Sequence, residues 1–539
     1  MKMTCDSLCN RHFWEERGIT LPSYDVEAVY KKTKQTPGWV HFGIGNIFRI
    51  FIGGIVDDML EQGILDSGLT CMEAFDFDIV DKIYNPFDNL ALSVILKDDG
   101  TKEKKILGCF AEAVKAKPSE TVSWSRMKEI FAAESLQIVS FTITEKGYAL
   151  RDSQGEFLKY VKADMENGPD QATGVMGIVT AMLNERYQRG GYPLALVSMD
   201  NCSHNGDLLR ASVIEMAETW QKKGFVDEGL VDYVKDSNRV AFPWTMIDKI
   251  TPRPSDEIAK ELEVSGIEDM QPVVTEKRTY IAPFINAEKP QYLVIEDSFP
   301  NGRPALEKGY GVYMADRETV NKAERMKVTA CLNPVHSALG PIGVVLGIDG
   351  FADLLDDPVM MKMGKQIAYG ESIPVIEDPK IISPKDFTDE LFQNRFINKY
   401  LGDTNIRLCQ EESQGVGVRF GVTINAYASR YGTASSLVAI PLGLAGWLRY
   451  LMAIDDNGND YELAPDPLAD TLHEMLSGIV WGEPSILTDQ LRPILSNKNI
   501  FFTDLYEAGL GERIEEFFRE MIAGPGSCKN TVYKYISTI

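Results

Sequence analysis

Short, almost wholly apolar runs alternate with amphipathic stretches through the first half of the chain. The clearest runs are WVHFGIG (39–45), LQIVSFTIT (136–144) and PLALVSMD (193–200), and helical patterns occupy Ile50–Gln62 and Gly174–Gln188 between them. A strand that is apolar on both sides has to be covered on both faces, as in a parallel sheet with helices above and below it. The first half of the sequence therefore predicts an α/β domain built on a parallel sheet.

Helical periodicity dominates the chain from about residue 317 onward. The helix-like windows are Thr319–Lys327, Ser435–Ala453, Pro467–Leu476, Thr503–Ala508 and Gly511–Ile522. Apolar residues recur in them every three or four positions, as they do on one face of an α-helix. We therefore expect two domains, an α/β domain over residues 1–310 and a mainly helical domain over residues 311–539.

Charge and cysteine usage exclude several classes of protein. The 539 residues include 55 Lys+Arg and 79 Asp+Glu, a formal net charge of −24, which disfavours binding to nucleic acid or to an anionic membrane. The apolar run Leu437–Leu448 is shorter than the roughly 20 residues of a spanning helix and predicts a buried core helix. The eight cysteines are dispersed, without zinc-ligand spacing, and the N-terminus lacks the apolar core of a signal peptide. We expect a soluble cytoplasmic protein with free thiols and no metal.

A glycine pair follows the first apolar run, in VHFGIGNIFR (40–49). A strand, a glycine turn and the start of a helix form the arrangement in which backbone N–H groups hold a pyrophosphate. Gly43 permits the tight turn and Gly45 lets the backbone approach the phosphates, but Phe48 stands where the full dinucleotide fingerprint has a third glycine. Arg49 opposes the helix dipole, which a bound anion would offset. A purely structural turn explains two glycines equally well.

Two acids follow the predicted second strand, Glu73 and Asp76 in LTCMEAFDFD (69–78). In dinucleotide-binding sheets an acid at this place binds a ribose hydroxyl and repels a 2′-phosphate. These residues therefore favour NAD as the cofactor, with NADP as the alternative. For either acid alone, a solvated loop carboxylate is the simpler interpretation.

A second polar cluster lies in ERMKVTACLNPVH (324–336). Hydride chemistry on a secondary alcohol needs a base for the hydroxyl proton and donors for the developing alkoxide. A desolvated lysine such as Lys327 is suited to be the base, because burial disfavours its charged form, and the Asn333 amide is a suitable donor. The alternatives are an ordinary surface lysine, a helix N-cap at Asn333 followed by proline, and a core histidine at His336.

A third cluster, SMDNCSHNGD (198–207), directly follows the apolar strand PLALV. Ligands of open α/β sheets bind at the carboxyl ends of the strands, which is where Asn201 and His204 are expected to lie. A polar turn without function is the alternative interpretation of this cluster.

Taken together, these segments resemble the mannitol dehydrogenase family of polyol-specific long-chain dehydrogenases. The matching segments follow the family order through most of the chain: HFGIGNIFR (41–49), ITEKGY (143–148), VSMDNCSHNGD (197–207), FPWTMIDKITP (242–252), VIEDSFPNGRPALEK (294–308), ERMK (324–327), NPVH (333–336), NRF (394–396) and DTNIR (403–407). The resemblance implies a Rossmann-type domain that binds NAD(P), here residues 1–310, and a helical substrate-binding and catalytic domain, here residues 311–539. It also implies hydride transfer between the nicotinamide and a secondary alcohol or ketone, without a metal.

The resemblance also implies roles for individual residues. Lys327 matches the general base of the family, and Glu324, one helical turn earlier, matches a carboxylate that gates proton exchange with solvent. Asn201 and Asn333 match the amides that polarise the substrate oxygen, and His336 matches a residue that binds a substrate hydroxyl. The cofactor loop of the family matches Gly43, Gly45, Phe48 and Arg49.

One departure from the family pattern constrains the local structure. The family usually has four residues between the lysine and the asparagine, whereas Lys327 and Asn333 are separated by five. On a regular α-helix Lys327 and His336 would point about 180° apart. The helix is therefore expected to break or bulge between them, with Asn333-Pro334 as a candidate break. A second departure is EESQG (411–415), where the family often has DGSxK.

Substrates of the family include mannitol and fructose, mannonate and fructuronate, and altronate and tagaturonate. The extension of about 40 residues before the glycine loop and the variant ACLNPVH (330–336) resemble the bacterial members that act on D-mannonate and D-fructuronate, so we expect a sugar acid. Arg407 matches a substrate contact and would offer a bidentate fork to a carboxylate, although it suits a neutral polyol as well. Mannitol 2-dehydrogenation and tagaturonate reduction are the alternatives within the family, and a non-catalytic nucleotide or sugar-acid sensor is the alternative outside it.

Overall fold

The computed structural model describes residues 1–152, 154–484 and 489–539. The chain divides into two compact units, Met1–Asn321 and Lys322–Ile539. The boundary expected from the sequence, after residue 310, lies slightly earlier. The difference arises because a strand at Val312–Ala315 still pairs with a strand of the first unit, Tyr292–Glu296.

The first unit combines strands and helices. Its strands are β1 (Ile19–Thr20), β2 (Trp39–Phe42), β3 (Leu69–Glu73), β4 (Ala91–Leu96), β5 (Lys102–Leu107), β6 (Phe110–Lys115), β7 (Ile138–Phe141), β8 (Leu194–Ser198), β9 (Val240–Ala241), β10 (Thr245–Asp248), β11 (Val273–Val274), β12 (Tyr280–Ile281), β13 (Phe284–Ala287), β14 (Tyr292–Glu296) and β15 (Val312–Ala315). Its helices are α1 (Arg11–Glu15), α2 (Val26–Gln35), α3 (Gly53–Glu61), α4 (Thr121–Ala132), α5 (Glu145–Tyr148), α6 (Lys159–Asn167), α7 (Val175–Gln188), α8 (Asn205–Lys222), α9 (Glu228–Lys235) and α10 (Asp256–Val264). Two π-helical turns occupy Phe48–Ile52 and Val80–Tyr84.

A six-stranded sheet with the order β6-β3-β2-β7-β8-β9 organises this unit, and all of its neighbouring strands are parallel. Alternate residues of the central strands enter two different cores. Val40 and Phe42 pack into one core, whereas Trp39 packs into the other. The strand order is that of a dinucleotide-binding sheet, in which the first strand lies beside the point where the order reverses. The predicted α/β fold with a parallel sheet covered on both faces is confirmed.

The first unit also contains smaller sheets. The order β1-β5-β4-β13 forms a four-stranded sheet, β10-β14-β15 forms a three-stranded sheet, and β11 and β12 form a two-stranded hairpin. The segments predicted from the sequence as strands 39–45, 136–144 and 193–200 contain β2, β7 and β8, three adjacent strands of the large sheet.

The second unit is helical. A helix that begins in the first unit, α11 (Arg317–Met326), leads through a π-helical turn at Lys327–Cys331 into it. The remaining helices are α12 (Asn333–Val345), α13 (Phe351–Leu355), α14 (Pro358–Lys365), α15 (Pro384–Glu390), α16 (Asn405–Leu408), α17 (Glu412–Val416), α18 (Val422–Tyr431), α19 (Ala439–Tyr450), α20 (Ala469–Leu476), α21 (Arg492–Leu495), α22 (Lys498–Phe501), α23 (Gly511–Met521) and α24 (Ser527–Ser537). The predicted mainly helical C-terminal domain is confirmed. One window is wrong: Thr503–Ala508 forms a turn, because the Asp504 carboxylate accepts the backbone N–H groups of Tyr506 and Glu507.

Helix α19 is the buried core helix predicted from the apolar run Leu437–Leu448, and every residue of α19 is buried. The Glu371 carboxylate caps its N-terminus by accepting the backbone N–H groups of Val438, Ala439 and Ile440 at 2.8–2.9 Å. Helix α12 lies directly against α19, since a Cβ atom at Gly443 would be 2.6 Å from the Cβ of Ala338. This close packing fixes the position of α12.

The helical stretch Arg317–Val345 is long and apolar enough to pass a membrane-span test on length and composition. Of its most apolar window, 78% is buried inside the protein, as expected for a core helix of a globular unit. All eight cysteines have free thiols.

Arg186 of α7 joins the turns that lead into the neighbouring strands β7 and β8. Its side chain is fully buried, and its guanidinium donates to the carbonyls of Phe131, Ala133, Leu136, Tyr192 and Pro193 at 2.8–2.9 Å. The five N–H groups of one guanidinium can donate to all five carbonyls, which a side chain with fewer donors cannot do.

Replacing Arg186 with Met is expected to lower the free energy of unfolding by about 4 kcal/mol, because five carbonyls lose their donor in a buried region. Chemical denaturation of the variant measures this loss. Arg189→Ala is the matched control, since that arginine is exposed, and its change should stay within about 0.5 kcal/mol. Equal effects of the two substitutions would contradict this account of Arg186.

Candidate active site

The glycine turn after β2 has two glycines with different physical requirements. Gly43 has φ +87°, and a Cβ there would lie 2.3 Å from the carbonyl oxygen of Thr142. Gly45 has an ordinary φ, and a Cβ there would meet nothing within 4 Å. The fold itself therefore explains Gly43 but not Gly45. An open cradle above Gly45, at the start of the helical run that contains Phe48–Ile52 and α3, fits a group that needs close approach to the backbone.

Phe48 and Arg49, three and four residues beyond Gly45, support the loop from its buried side. The Phe48 ring is fully buried and stacks on the His41 ring with centroids 4.0 Å apart. The Arg49 guanidinium is also buried, and it donates to the carbonyl of Ala282 at 2.8 Å and to Asn46 Oδ1 at 2.7 Å. Contact of these residues with a cofactor stays a prediction, but their side chains already have partners inside the first unit.

Glu73 and Asp76 are buried rather than solvated. The Glu73 carboxylate accepts the N–H of Ile44 at 3.3 Å and those of Phe75 and Asp76 at 2.9 and 3.1 Å. Burial raises the pKa of Glu73, and these backbone donors act in the opposite direction. Asp76 accepts the Thr275 hydroxyl at 2.6 Å. Glu73 thus ties the loop after β3 to the glycine turn.

The loop after β8 that carries Asn201 is fixed on both sides. The Asn205 amide donates to Thr245 Oγ1 at 2.9 Å and to the carbonyl of Asp200 at 3.2 Å, and the Tyr148 hydroxyl donates to the Asp200 carboxylate. Asn201 itself is exposed at the carboxyl end of the strand, as predicted from the sequence.

The bulge predicted between Lys327 and His336 is confirmed. Residues Lys327–Cys331 form a π-helical turn, in which the N–H of Leu332 donates to the Lys327 carbonyl five residues back at 3.1 Å. A π turn takes up one extra residue without ending the helix, so α12 resumes at Asn333 with proline in its first turn. The Lys327 side chain is only 8% exposed, whereas Asn333 and Glu324 are partly exposed.

His336 lies on α12 beside aromatic rings and arginines. Its ring contacts those of Phe351 and Phe396, with centroids 4.7 and 5.1 Å away. Burial, with smaller contributions from the guanidinium groups of Arg407, Arg395 and Arg419, lowers the pKa of His336 to about 3. The imidazole is therefore neutral near pH 7 and can both donate and accept a hydrogen bond.

A cavity of about 250 Å³ in the second unit opens beside His336. Charged and polar side chains form much of its lining: Asp349, Asp353, Arg395, Asn398, Lys399 and Asp403. Arg407 forms an ion pair with Asp403 and is 54% exposed. Arg395, only 4% exposed, was given no role from the sequence, although it belongs to the matching segment NRF. Of the residues predicted for the site, His336 belongs to this lining.

The segment EESQG (411–415), which departs from the family pattern, packs against the Arg419 side chain. The Arg419 guanidinium covers Gly415, where a Cβ would lie 2.6 Å from Arg419 Cζ. Arg419 pairs with the buried carboxylate of Glu412 and donates to Ser337 Oγ at 2.9 Å. Burial raises the pKa of Glu412 to about 7. Among the residues described, no three His, Cys, Asp or Glu side chains cluster to hold a metal.

Comparison with known proteins extends the match of the motifs to the whole chain. Two family models match in order, the Mannitol dehydrogenase Rossmann domain at residues 37–308 and the Mannitol dehydrogenase C-terminal domain at residues 319–522. D-mannonate oxidoreductase of Thermotoga maritima is 47% identical over 99% of both chains. Polyol:NADP oxidoreductase of Gluconobacter oxydans is 28% identical over 82% of this chain and 85% of its own length. The structure of Pseudomonas fluorescens mannitol 2-dehydrogenase, a ternary complex with NAD and D-mannitol, matches with a TM-score of 0.70 at 25% identity, over 100% of this chain and 99% of that chain.

The contrast between the two glycines gives a test of the cradle. Gly43→Ala is expected to lower the free energy of unfolding by about 2 kcal/mol, because the residue has a positive φ and no room for a Cβ. Gly45→Ala should leave stability within about 0.5 kcal/mol and weaken dinucleotide binding instead. Thermal denaturation and titration with NADH measure the two effects. Unchanged NADH affinity in Gly45→Ala would contradict the cradle.

The His336 ring is expected to stay neutral across about pH 5 to 8, because burial disfavours the imidazolium. Nitrogen chemical shifts of the histidine rings measure its protonation, and the His336→Asn variant assigns the resonance. A titration midpoint near the ordinary value of about 6.5 would contradict the environment described here.

Proposed function

Because this chain belongs to the mannitol dehydrogenase family, we propose that it is an NAD(H)-dependent oxidoreductase that interconverts D-mannonate and D-fructuronate. The observation that carries this proposal is the 47% identity with D-mannonate oxidoreductase over 99% of both chains. The family and the enzyme class found by comparison with known proteins are the same as those that the sequence motifs imply. We assign coenzyme binding to the Rossmann-type domain and substrate binding to the helical domain.

The coenzyme is proposed to lie along the carboxyl edge of the six-stranded sheet. Gly43 sets the turn, and the open face of Gly45 gives the pyrophosphate access to backbone N–H groups at the helix start. Phe48, Arg49 and Glu73 support this loop through their buried contacts. The bound nicotinamide supplies the hydride for ketone reduction and accepts it in alcohol oxidation.

Lys327 Nζ is proposed to give a proton to the substrate oxygen in reduction and to take it back in oxidation. The nearly buried position of Lys327 suits this role, because a proton carrier shielded from bulk water acts on the substrate alone. The amides of Asn201 and Asn333 are proposed to donate to the same oxygen, and Glu324 to pass the proton onward to solvent.

His336 is proposed to bind a hydroxyl of the sugar chain as a neutral imidazole. Its low pKa supports this role, because a neutral ring accepts as well as donates. Arg407 is proposed as a contact for the carboxylate end of the sugar acid, in exchange for part of its pairing with Asp403. The substrate and coenzyme are small molecules, and we propose a cytoplasmic location with neither nucleic acid nor membrane as partner.

Steady-state reduction with NADH tests the proposed function, using D-fructuronate, D-tagaturonate and D-fructose as substrates. D-Fructuronate is expected to have the highest kcat/KM. Preference for fructose would favour mannitol 2-dehydrogenation instead. NADH binding without reduction of any keto-sugar would favour a sensor.

Lys327→Met tests the base separately. The loss of proton transfer is expected to lower kcat by about 1,000-fold while NADH affinity changes less than about threefold. Arg325→Ala, an exposed position two residues earlier, is the control and should keep kcat within about twofold. Full activity in Lys327→Met would remove the assignment of the base.

A further inference from the structure

An exposed aromatic ring stands at the carboxyl end of β3. Phe75 is 67% exposed, although it lies only two residues beyond the buried Glu73. Lys277 Nζ lies 5.1 Å from the centroid of the Phe75 ring, within the range of a cation–π interaction. Lys277 is itself exposed, and the ion pairs found among the described residues do not include it. An exposed aromatic ring beside an exposed cation is suited to bind a ligand that has a planar group and a negative charge.

The backbone under this pair is held on both sides. The Thr275 hydroxyl donates to Asp76 at 2.6 Å, and the N–H of Glu276 donates to Asp78 at 3.0 Å. The N–H of Thr279 donates to Thr275 Oγ1 at 2.9 Å, which fixes the turn between β11 and β12. The turn that carries Lys277 is therefore attached to the loop that carries Phe75. The backbone positions of Phe75 and Lys277 are therefore fixed by hydrogen bonds between the two loops.

The place of the pair in the sheet identifies its ligand. In a sheet of this strand order the pyrophosphate lies on the turn after the first strand, and the adenosine lies at the end of the second strand. Here these strands are β2 and β3, and Glu73 connects their ends by accepting the N–H groups of Ile44 and Phe75. Phe75 and Lys277 thus stand at the adenosine end of the coenzyme path.

We propose that Phe75 and Lys277 form the adenosine subsite and that Lys277 lets the enzyme use NADPH as well as NADH. The free face of the Phe75 ring stacks on adenine, and Lys277 on its other side stays close to the adenosine ribose. The two acids that would exclude a 2′-phosphate are engaged internally, Glu73 by three backbone N–H groups and Asp76 by the Thr275 hydroxyl. Lys277, exposed between Glu276 and Arg278 and lying over the Phe75 ring, is the cation that would meet a 2′-phosphate here. This inference rests on the coenzyme use proposed above.

Binding of coenzyme fragments tests the subsite without any sugar substrate. Calorimetric titration with 5′-AMP and with adenosine 2′,5′-bisphosphate is compared in the wild-type chain and its variants. Phe75→Ala is expected to weaken both ligands about tenfold, and Phe75→Trp to restore them, because stacking needs only an aromatic face. Lys277→Ala is expected to weaken the bisphosphate about tenfold and 5′-AMP less than threefold. Val274→Ala, exposed on the same hairpin, is the control and should change neither.

Steady-state kinetics with the keto-sugar that is reduced best extends the test to the whole coenzyme. Phe75→Ala is expected to raise the KM for NADH about tenfold with kcat within about twofold, because the ring lies far from the reacting carbon. Lys277→Glu is expected to lower kcat/KM for NADPH at least 30-fold and to leave NADH within about threefold. Fragment affinities unchanged by Phe75→Ala, or equal losses of both coenzymes in Lys277→Glu, would overturn the inference. If the fragment results hold and no keto-sugar is reduced, the proposed function fails and the subsite stands.

Discussion

The π-helical turn at Lys327–Cys331 is the constraint on which the catalytic assignment depends. It lets one continuous helix carry Lys327, Asn333 and His336 despite an extra residue between the first two. Such a turn shifts the backbone hydrogen bonds out of the α-helical register, and side chains stabilise it here. The Thr329 hydroxyl donates to the Arg325 carbonyl at 2.6 Å, and the Thr423 hydroxyl donates to the Thr329 carbonyl at 3.1 Å. The close packing of α12 on α19 then holds the second half of the helix.

In the first unit, the glycine turn is held in position by two buried charged side chains, Arg49 and Glu73. The chain carries a net charge of −24, so an anionic coenzyme has to be held by local donors rather than by the overall field. The Arg49 guanidinium is buried and braces the loop from inside, whereas the space above Gly45 is open. The Glu73 carboxylate joins the turn to the next strand in the same way.

The sequence predicted the parts of this arrangement that depend on local order along the chain. Apolar strands, amphipathic helices and the motif order indicated the two domains, and counting residues between Lys327 and Asn333 predicted the bulge. Contacts between residues far apart in the sequence were not predictable, because the periodicity of apolar residues carries no information about them. Thr275 meets Asp76 across 199 positions, and Arg49 meets Ala282 across 233. The burial of Glu73 and Asp76, the covering of Gly415 by Arg419 and the exposure of Phe75 all follow from such contacts.

Transfer of deuterium tests directly whether this chain moves a hydride between a nicotinamide coenzyme and a sugar acid. The chain is incubated with D-fructuronate and NADH that carries deuterium at C4 on the transferred face, and the product is examined by mass spectrometry and NMR. We expect D-mannonate with one deuterium at the carbon of the new secondary alcohol, formed about 1,000-fold more slowly by Lys327→Met. Absence of deuterium from the sugar, or its transfer to fructose in preference to fructuronate, would contradict the account.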